Sequence, residues 1–413
     1  MNLNKSKRQV ILLYSCTIIG IFLGVLVSIV NTRFLEPSSY GDVRYVNNII
    51  AFFSGIFLFG YFVSGSRLLA LAKDKDEANK IKGGLVFILG ITIILMIVVM
   101  LISGFIHDYC LHKKFYYLFY LVVPVCGSTL LLNYINTSSQ GDNSITTIAF
   151  ARLLPQLIYI IIAFLVYKYS GASAEKMLLL QNGIAVIILL LLLIFKNSPN
   201  FSSLKQTLYK LKDENKKYGL QVYYGSLANL SIQYIAGVSL GVFGNDNTNV
   251  GYYTLALTVT SPLMMLPNVI GTTYFKQFAH QSFIPRKLLL GTYLMSIASL
   301  CAFIILIYPI VDILYNDSYA NVAFYASVMA IGFTLHGLGD VYNRFLGAHG
   351  KGSYLRNAAW ISGFISLVGY TIGIYFYGIT AAIITRILSS SIYYFSLLFY
   401  YRKFRGMNRN VVC

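Results

Sequence analysis

Two arginines, Arg152 and Arg386, fall inside long apolar runs of this 413-residue chain, where a cation needs a partner. At a bilayer centre an arginine costs about 2.5–3.5 kcal/mol on insertion scales. A bound anion, a carboxylate neighbour, or snorkelling of the long side chain to an interface can offset that cost. All three stay open for Arg386, and for Arg152, near the end of its run, snorkelling competes directly with an anion-facing role. Arg33 and Arg44 flank the polar turn EPSSYGD. They either line a cavity or lie at a surface, where Glu36 or Asp42 would pair with them. Carboxylates inside apolar runs are nearly absent, and Asp340 is the clear exception. His336, Asp340 and Asn343 recur at i, i+4 and i+7 of one run. A carboxylate and an imidazole one turn apart can exchange protons near neutral pH, so His336 and Asp340 are candidates for proton coupling. The plainer alternative is an Asp340–Arg344 pair along one helix face.

These residues need elements that carry them through a membrane. Mean hydropathy is +0.67, hydrophobic residues make up 57 % and charged residues only 11 %. A soluble chain would carry about a quarter charged residues. Runs of about 20 apolar residues each suffice for one helical crossing. Twelve such runs start near positions 10, 46, 84, 115, 148, 177, 219, 253, 288, 322, 357 and 380, which predicts an all-α polytopic membrane protein. The formal charge of +18 would suggest nucleic acid in a soluble chain, but here its distribution decides. With the N-terminus inside, 24 of the 32 Lys and Arg fall in cytoplasmic segments and 6 in outer loops, a strong positive-inside pattern. Both termini are therefore expected in the cytoplasm, with no nucleic-acid partner. KSKR followed by an apolar run mimics a signal peptide, but the run is too long and lacks a small-residue cleavage site before Asn31. It is expected to remain as an anchor.

The polar residues of these runs are patterned. The fourth run carries Thr129, Asn133, Asn136 and Gln140 at helical spacing, and the seventh carries Ser226, Asn229 and Gln233 among tyrosines. Polar stripes of this kind turn toward protein or water rather than lipid. The sixth run, almost purely Ile and Leu, is expected against lipid. Pro262 and Pro267 favour a kink or break in the eighth. The chain also echoes itself. Gly41 to Arg67 spans 26 positions and Gly251 to Lys276 spans 25; Gly41 to Gly141 spans 100 and Gly251 to Gly347 spans 96. Two anchors at nearly constant offset predict parallel halves: a six-helix bundle over 1–200, a basic linker over 201–217, and a second six-helix bundle over 218–413.

Enzyme signatures are missing. There is no G-x-S-x-G, H-E-x-x-H or Walker-type loop, and GAHGKGSY has the wrong spacing with no strand before it. Five cysteines (Cys16, Cys110, Cys126, Cys301, Cys413) show no C-x-x-C pattern, so neither disulfides nor zinc are expected. No cofactor or metal site is expected. With no sizeable water-exposed domain, transport must follow an ion gradient or downhill substrate flow.

The TRFLEPSSYGD hairpin, SSQGDNS after the fourth run and FLGAHGKGSY after the tenth resemble the polysaccharide-transporter branch of the MATE-like superfamily, and within it the Wzx-type O-antigen flippases. The family's outer hairpin reads R-x-L-G-P-x-x-Y-G. Arg33, Leu35, Pro37, Tyr40 and Gly41 match it, while Glu36 replaces a glycine. The resemblance implies a MATE-like V of two six-helix bundles in a bacterial inner membrane, opening alternately to either side. It implies an undecaprenyl-pyrophosphate-linked oligosaccharide as substrate. Membrane lipids and the polymerase and chain-length regulator of the pathway would be partners. Arg33, Arg44, Arg152 and Arg386 would then attract the pyrophosphate, while Asn133, Ser226, Asn229 and Gln233 meet the glycan. A multidrug cation exporter of the same superfamily would call for more cavity carboxylates. An O-antigen polymerase, an enzyme, would need a large outer loop, and the longest here is only about 15 residues. A lipid II flippase is compatible with the composition.

Overall fold

The computed structural model describes residues 3–409, side chains excepted at 3–11, 13, 14, 228, 229, 231 and 407–409. In hydrocarbon a backbone has only itself to bond, so apolar runs become helices. In order these are α1 (Leu3–Phe34), α2 (Pro37–Phe57), α3 (Tyr61–Leu71), α4 (Lys75–Tyr109), α5 (Tyr117–Leu121), α6 (Ser128–Gly141), α7 (Ile145–Ser170), α8 (Ala174–Asn197) and α9 (Leu204–Glu214). There follow α10 (Leu220–Leu230), α11 (Ala236–Phe243), α12 (Thr248–Thr273), α13 (Phe275–Phe278), α14 (Arg286–Leu314), α15 (Asn321–Ala348), α16 (Gly352–Val368) and α17 (Ile374–Arg409). Asp74 and Ser173 cap α4 and α8, accepting from the amides of Glu77 at 2.7 Å and Lys176 at 3.3 Å. Each such cap stabilises its helix by about 1 kcal/mol.

Among the described residues nine helices are long and apolar enough to cross a membrane, or ten with the bent α2–α3 pair as one span. One of them, Gly352–Gly406, is 55 residues long, about 80 Å of helix and too much for one crossing. It breaks at Gly378, where φ is 54°. Splitting it there gives two helices, and the fourth expected run is the broken α5–α6 segment, so the helix count is roughly compatible with the twelve spans expected.

The breaks do not fall where proline placed them. Despite Pro262 and Pro267, α12 runs unbroken from Thr248 to Thr273, because α15 packs tightly along it. A Cβ on Gly337 would lie 2.9 Å from the Met264 carbonyl oxygen and 3.1 Å from Pro267 Cγ. The real bend, of 57°, separates α2 from α3, at Phe59 (φ 44°) and Gly60 (φ 80°). π turns interrupt three further places, at Asn215–Gly219, Ser231–Ile235 and Gly369–Gly373.

The described chain divides into two compact units, one holding residues up to Leu35 together with Asp42–Leu227, the other Glu36–Gly41 and the chain from Ala228 onward. In the first unit α1 packs along α7 and α3 along α6. Much of the expected linker 201–217 is helix there, since α9 docks on α3 and α4 with Thr207 and Leu211 buried. Its boundary with the second unit falls ten positions beyond residue 217, at Leu227. The second unit is centred on α12, α15 and α17. Its outlying piece is the tip of the hairpin, and there the two echoing glycines meet. A Cβ on Gly41 would lie 1.8 Å from the Asn247 carbonyl oxygen, and one on Gly251 would lie 2.5 Å from that of Pro37. Only glycine allows that backbone contact.

Candidate functional site

Arg386 is where the second unit concentrates its polar chemistry. It lies on α17 with only 7 % of its surface exposed, and its guanidinium stands 4.3 Å from the centroid of the Phe333 ring on α15. A desolvated cation–π contact is worth about 2 kcal/mol, comparable with the insertion cost of the charge. Among the described residues its Nε has no hydrogen-bond partner, and neither has the buried Ser390 hydroxyl one turn along. Both are donors left for something else.

Along the same two helices lies a closed network around Asp340. The Tyr393 hydroxyl donates to Asp340 Oδ1 at 3.0 Å and accepts from Asn343 Nδ2 at 2.8 Å. On the other side Asn268 Nδ2 of α12 donates to Asp340 Oδ2 at 3.3 Å, while Asn268 Oδ1 accepts from Arg344 Nη2 at 3.4 Å. The Asp340–Arg344 ion pair therefore does not form, because Asn268 stands between them. His336 stacks on the Tyr393 ring at 4.4 Å and 12°, so it shares Tyr393 with Asp340 rather than bonding to it. A carboxylate held by neutral donors keeps lone pairs for a proton or a cation. Arg386, with an open donor, suits an anion.

The other candidates are distributed over both units. Arg152 donates from Nε to Asn136 Oδ1 at 3.2 Å, tying α7 to the polar stripe of α6. On that stripe Asn133 is half-buried. Arg33 ends α1 and is exposed, while Arg44 is half-buried on α2, within electrostatic reach of Tyr159 and Tyr167. Those tyrosines bond to each other at 2.9 Å and to Asn31 Oδ1 at 2.5 and 3.3 Å. Arg33, Arg44 and Arg152 thus belong to the first unit and Arg386 to the second. Ser226, in the first unit, donates to its own helix at the Tyr223 carbonyl, 2.8 Å away. Gln233, in the second, is exposed within the π turn Ser231–Ile235. The Asn229 side chain lies outside the described residues.

Several polar groups went unread in the sequence. Asn268 sits in a run notable for its prolines. Asn182 sits in the Ile/Leu-rich run expected against lipid, yet it is buried, donating to Asn47 Oδ1 at 3.0 Å and accepting from Ser128 at 2.8 Å. The opposite face of α8 carries the exposed Ile187, Leu191 and Ile194. A single amide within an apolar run was the available signal in both cases.

The described residues form an all-helical fold whose long apolar helices carry buried charge. Solved structures with the same fold include the lipid II flippase MurJ in an inward closed conformation, with TM-score 0.68, 14 % identity and coverage of 94 % of this chain and 87 % of that one. An inward-facing multidrug resistance MATE family transporter of the MOP superfamily aligns with TM-score 0.69, 12 % identity and coverage of 95 % and 96 %. The eukaryotic MATE transporter AtDTX14 aligns with TM-score 0.58, 16 % identity and coverage of 99 % of each chain. No curated protein matches the sequence. Residues 6–275 match the polysaccharide biosynthesis protein family, and the chain belongs to that family.

Proposed function

We propose that the protein is a flippase, not an enzyme, moving undecaprenyl-pyrophosphate-linked O-antigen repeat units from the cytoplasmic to the periplasmic leaflet of a bacterial inner membrane. Both termini are cytoplasmic in this reading, and the pathway's polymerase and chain-length regulator act next. The observation that carries it is Arg386: a guanidinium buried inside a spanning helix, with Nε unpartnered among the described residues, in a chain of the polysaccharide biosynthesis family. Buried charge-assisted donors fit a phosphate oxygen. Arg33, Arg44 and Arg152 extend the anion path, and Asn133, Ser226, Asn229 and Gln233 supply hydroxyl and amide partners for the glycan. Alternating access is coupled to an ion gradient through Asp340, the half-buried carboxylate of the Tyr393–Asn268 network, with His336 beside it.

The test is a sided transport assay in liposomes with a lipid-pyrophosphate-linked oligosaccharide, scored by lectin access from one side. Flux should require the protein and an imposed proton or sodium gradient should accelerate it. Asp340→Asn should retain downhill flux and lose that acceleration. Equal flux in protein-free liposomes would sink the proposal, and a gradient response surviving in Asp340→Asn would sink the coupling role.

A further inference from the structure

The first unit contains a cavity that none of the residues above explains. It has a volume of about 310 Å³ and lies between α3 and α6, with Ser66, Arg67, Thr137, Gln140, Gly141 and Tyr218 among its walls. Arg67 is its only charged lining residue. The guanidinium rests 5.2 Å from the centroid of the Tyr218 ring, and Nη1 donates to Glu214, which lies outside the lining. The Arg67 side chain is half-exposed at 50 %, whereas Glu214 is held at 15 %.

A guanidinium offers five donors, and Glu214 takes one of them. The ring fixes the plane of the fork, which leaves a second edge directed to a planar or tetrahedral acceptor. Gln140 adds an exposed amide. The Thr137 hydroxyl donates back to its own helix, at the Asn133 carbonyl 2.8 Å away, so it faces the cavity as an acceptor at most. Val63 and Ala70 complete the walls, and a lining with one cation and no carboxylate selects an anion.

We propose that this cavity binds a phosphate-bearing group, with Arg67 exchanging its single bond to Glu214 for a bidentate contact to phosphate oxygens. Glu214 is then the internal stand-in that holds the guanidinium until the ligand arrives. Gln140 and Gly141 belong to the SSQGDNS segment, which the charge pattern assigns with Arg67 to the cytoplasmic side. The site therefore lies where a lipid-linked pyrophosphate would load. The inference rests on the flippase reading for its ligand class, but its test does not use transport.

That test is calorimetric titration of the purified full-length protein in neutral detergent, with farnesyl pyrophosphate and inorganic pyrophosphate as probes. Arg67→Gln should weaken binding at least tenfold. Glu214→Gln removes the competitor and should tighten binding several-fold. Opposite signs are the decisive feature, since a purely structural ion pair gives the same sign from either side. Unchanged affinity in Arg67→Gln, or weakening in Glu214→Gln, overturns the proposal. If Arg67→Gln is not monodisperse, Glu214→Gln decides alone, and anything short of tightening overturns it. Displacement of the probe by phosphatidylglycerol would identify a membrane headgroup as the ligand. A preference for farnesyl over inorganic pyrophosphate, undisturbed by that lipid, identifies a prenyl carrier. Either result keeps the phosphate site. Arg67-dependent binding with no liposome flux would remove the flippase reading and leave this site standing.

Discussion

Arg386 is held by a ring rather than by a carboxylate, and that distinguishes its possible substitutions. Lysine keeps the charge but lacks both the planar face that stacks on Phe333 and the Nε donor. Transport should fall at least tenfold in Arg386→Ala and recover only partly in Arg386→Lys, measured at equal membrane insertion. Full transport in the alanine variant would remove Arg386 from the substrate path. Tyr393 is the joint of the neighbouring network, since one hydroxyl serves both Asp340 and Asn343. Tyr393→Phe leaves those groups short of a partner and should cost about 1–3 kcal/mol, seen as earlier thermal unfolding of the purified protein. An unchanged transition would show that the network is not stabilising. Arg386, His336 and Asp340 were all legible as polar groups in apolar runs. Their true partners were not, because Asn268 and Phe333 come from other segments of the chain, and spacing along one helix says nothing about which helix lies opposite.

The elements show the same division between what spacing reveals and what packing decides. Among the described residues the apolar runs are largely helical, and nine of the helices are long and apolar enough to cross a membrane. Their interruptions followed other rules. Proline is tolerated in a spanning helix when its neighbours pack against the freed carbonyls, so α12 continues, whereas the LFG segment between α2 and α3 bends without any proline. That bend leaves carbonyls to satisfy, and side chains from the segment after α9 satisfy them. Asn215 Nδ2 donates to the Phe59 carbonyl at 3.0 Å, and the Tyr223 hydroxyl donates to that of Ile56 at 2.8 Å. Ser64 also donates to Asn215 Oδ1 at 3.1 Å. Asn215→Ala should therefore destabilise the protein by about 1–3 kcal/mol, read as a lower unfolding temperature in detergent. An unaltered temperature would mean that water replaces the amide without loss. At the hairpin, Gly41→Ala forces a methyl into the Asn247 backbone. It should reduce the folded yield more than Ala substitution at Gly24, where a Cβ meets nothing within 4 Å; equal yields would contradict the close approach.

For the whole molecule, charge and repetition carry the reading. The excess of Lys and Arg in alternate loops is the basis of the proposed orientation, and the echo of Gly41 in Gly251 is realised as a direct backbone contact. That contact explains why both copies are glycine, which a repeat count alone does not. The central claim, that the protein carries lipid-linked glycan across the membrane, is tested most directly in cells lacking it, by measuring surface polysaccharide and the sidedness of the lipid-linked repeat. The account predicts that surface glycan disappears and unpolymerised repeats accumulate on the cytoplasmic leaflet. Repeats that still reach the outer leaflet, or unchanged glycan with increased drug sensitivity, would contradict it.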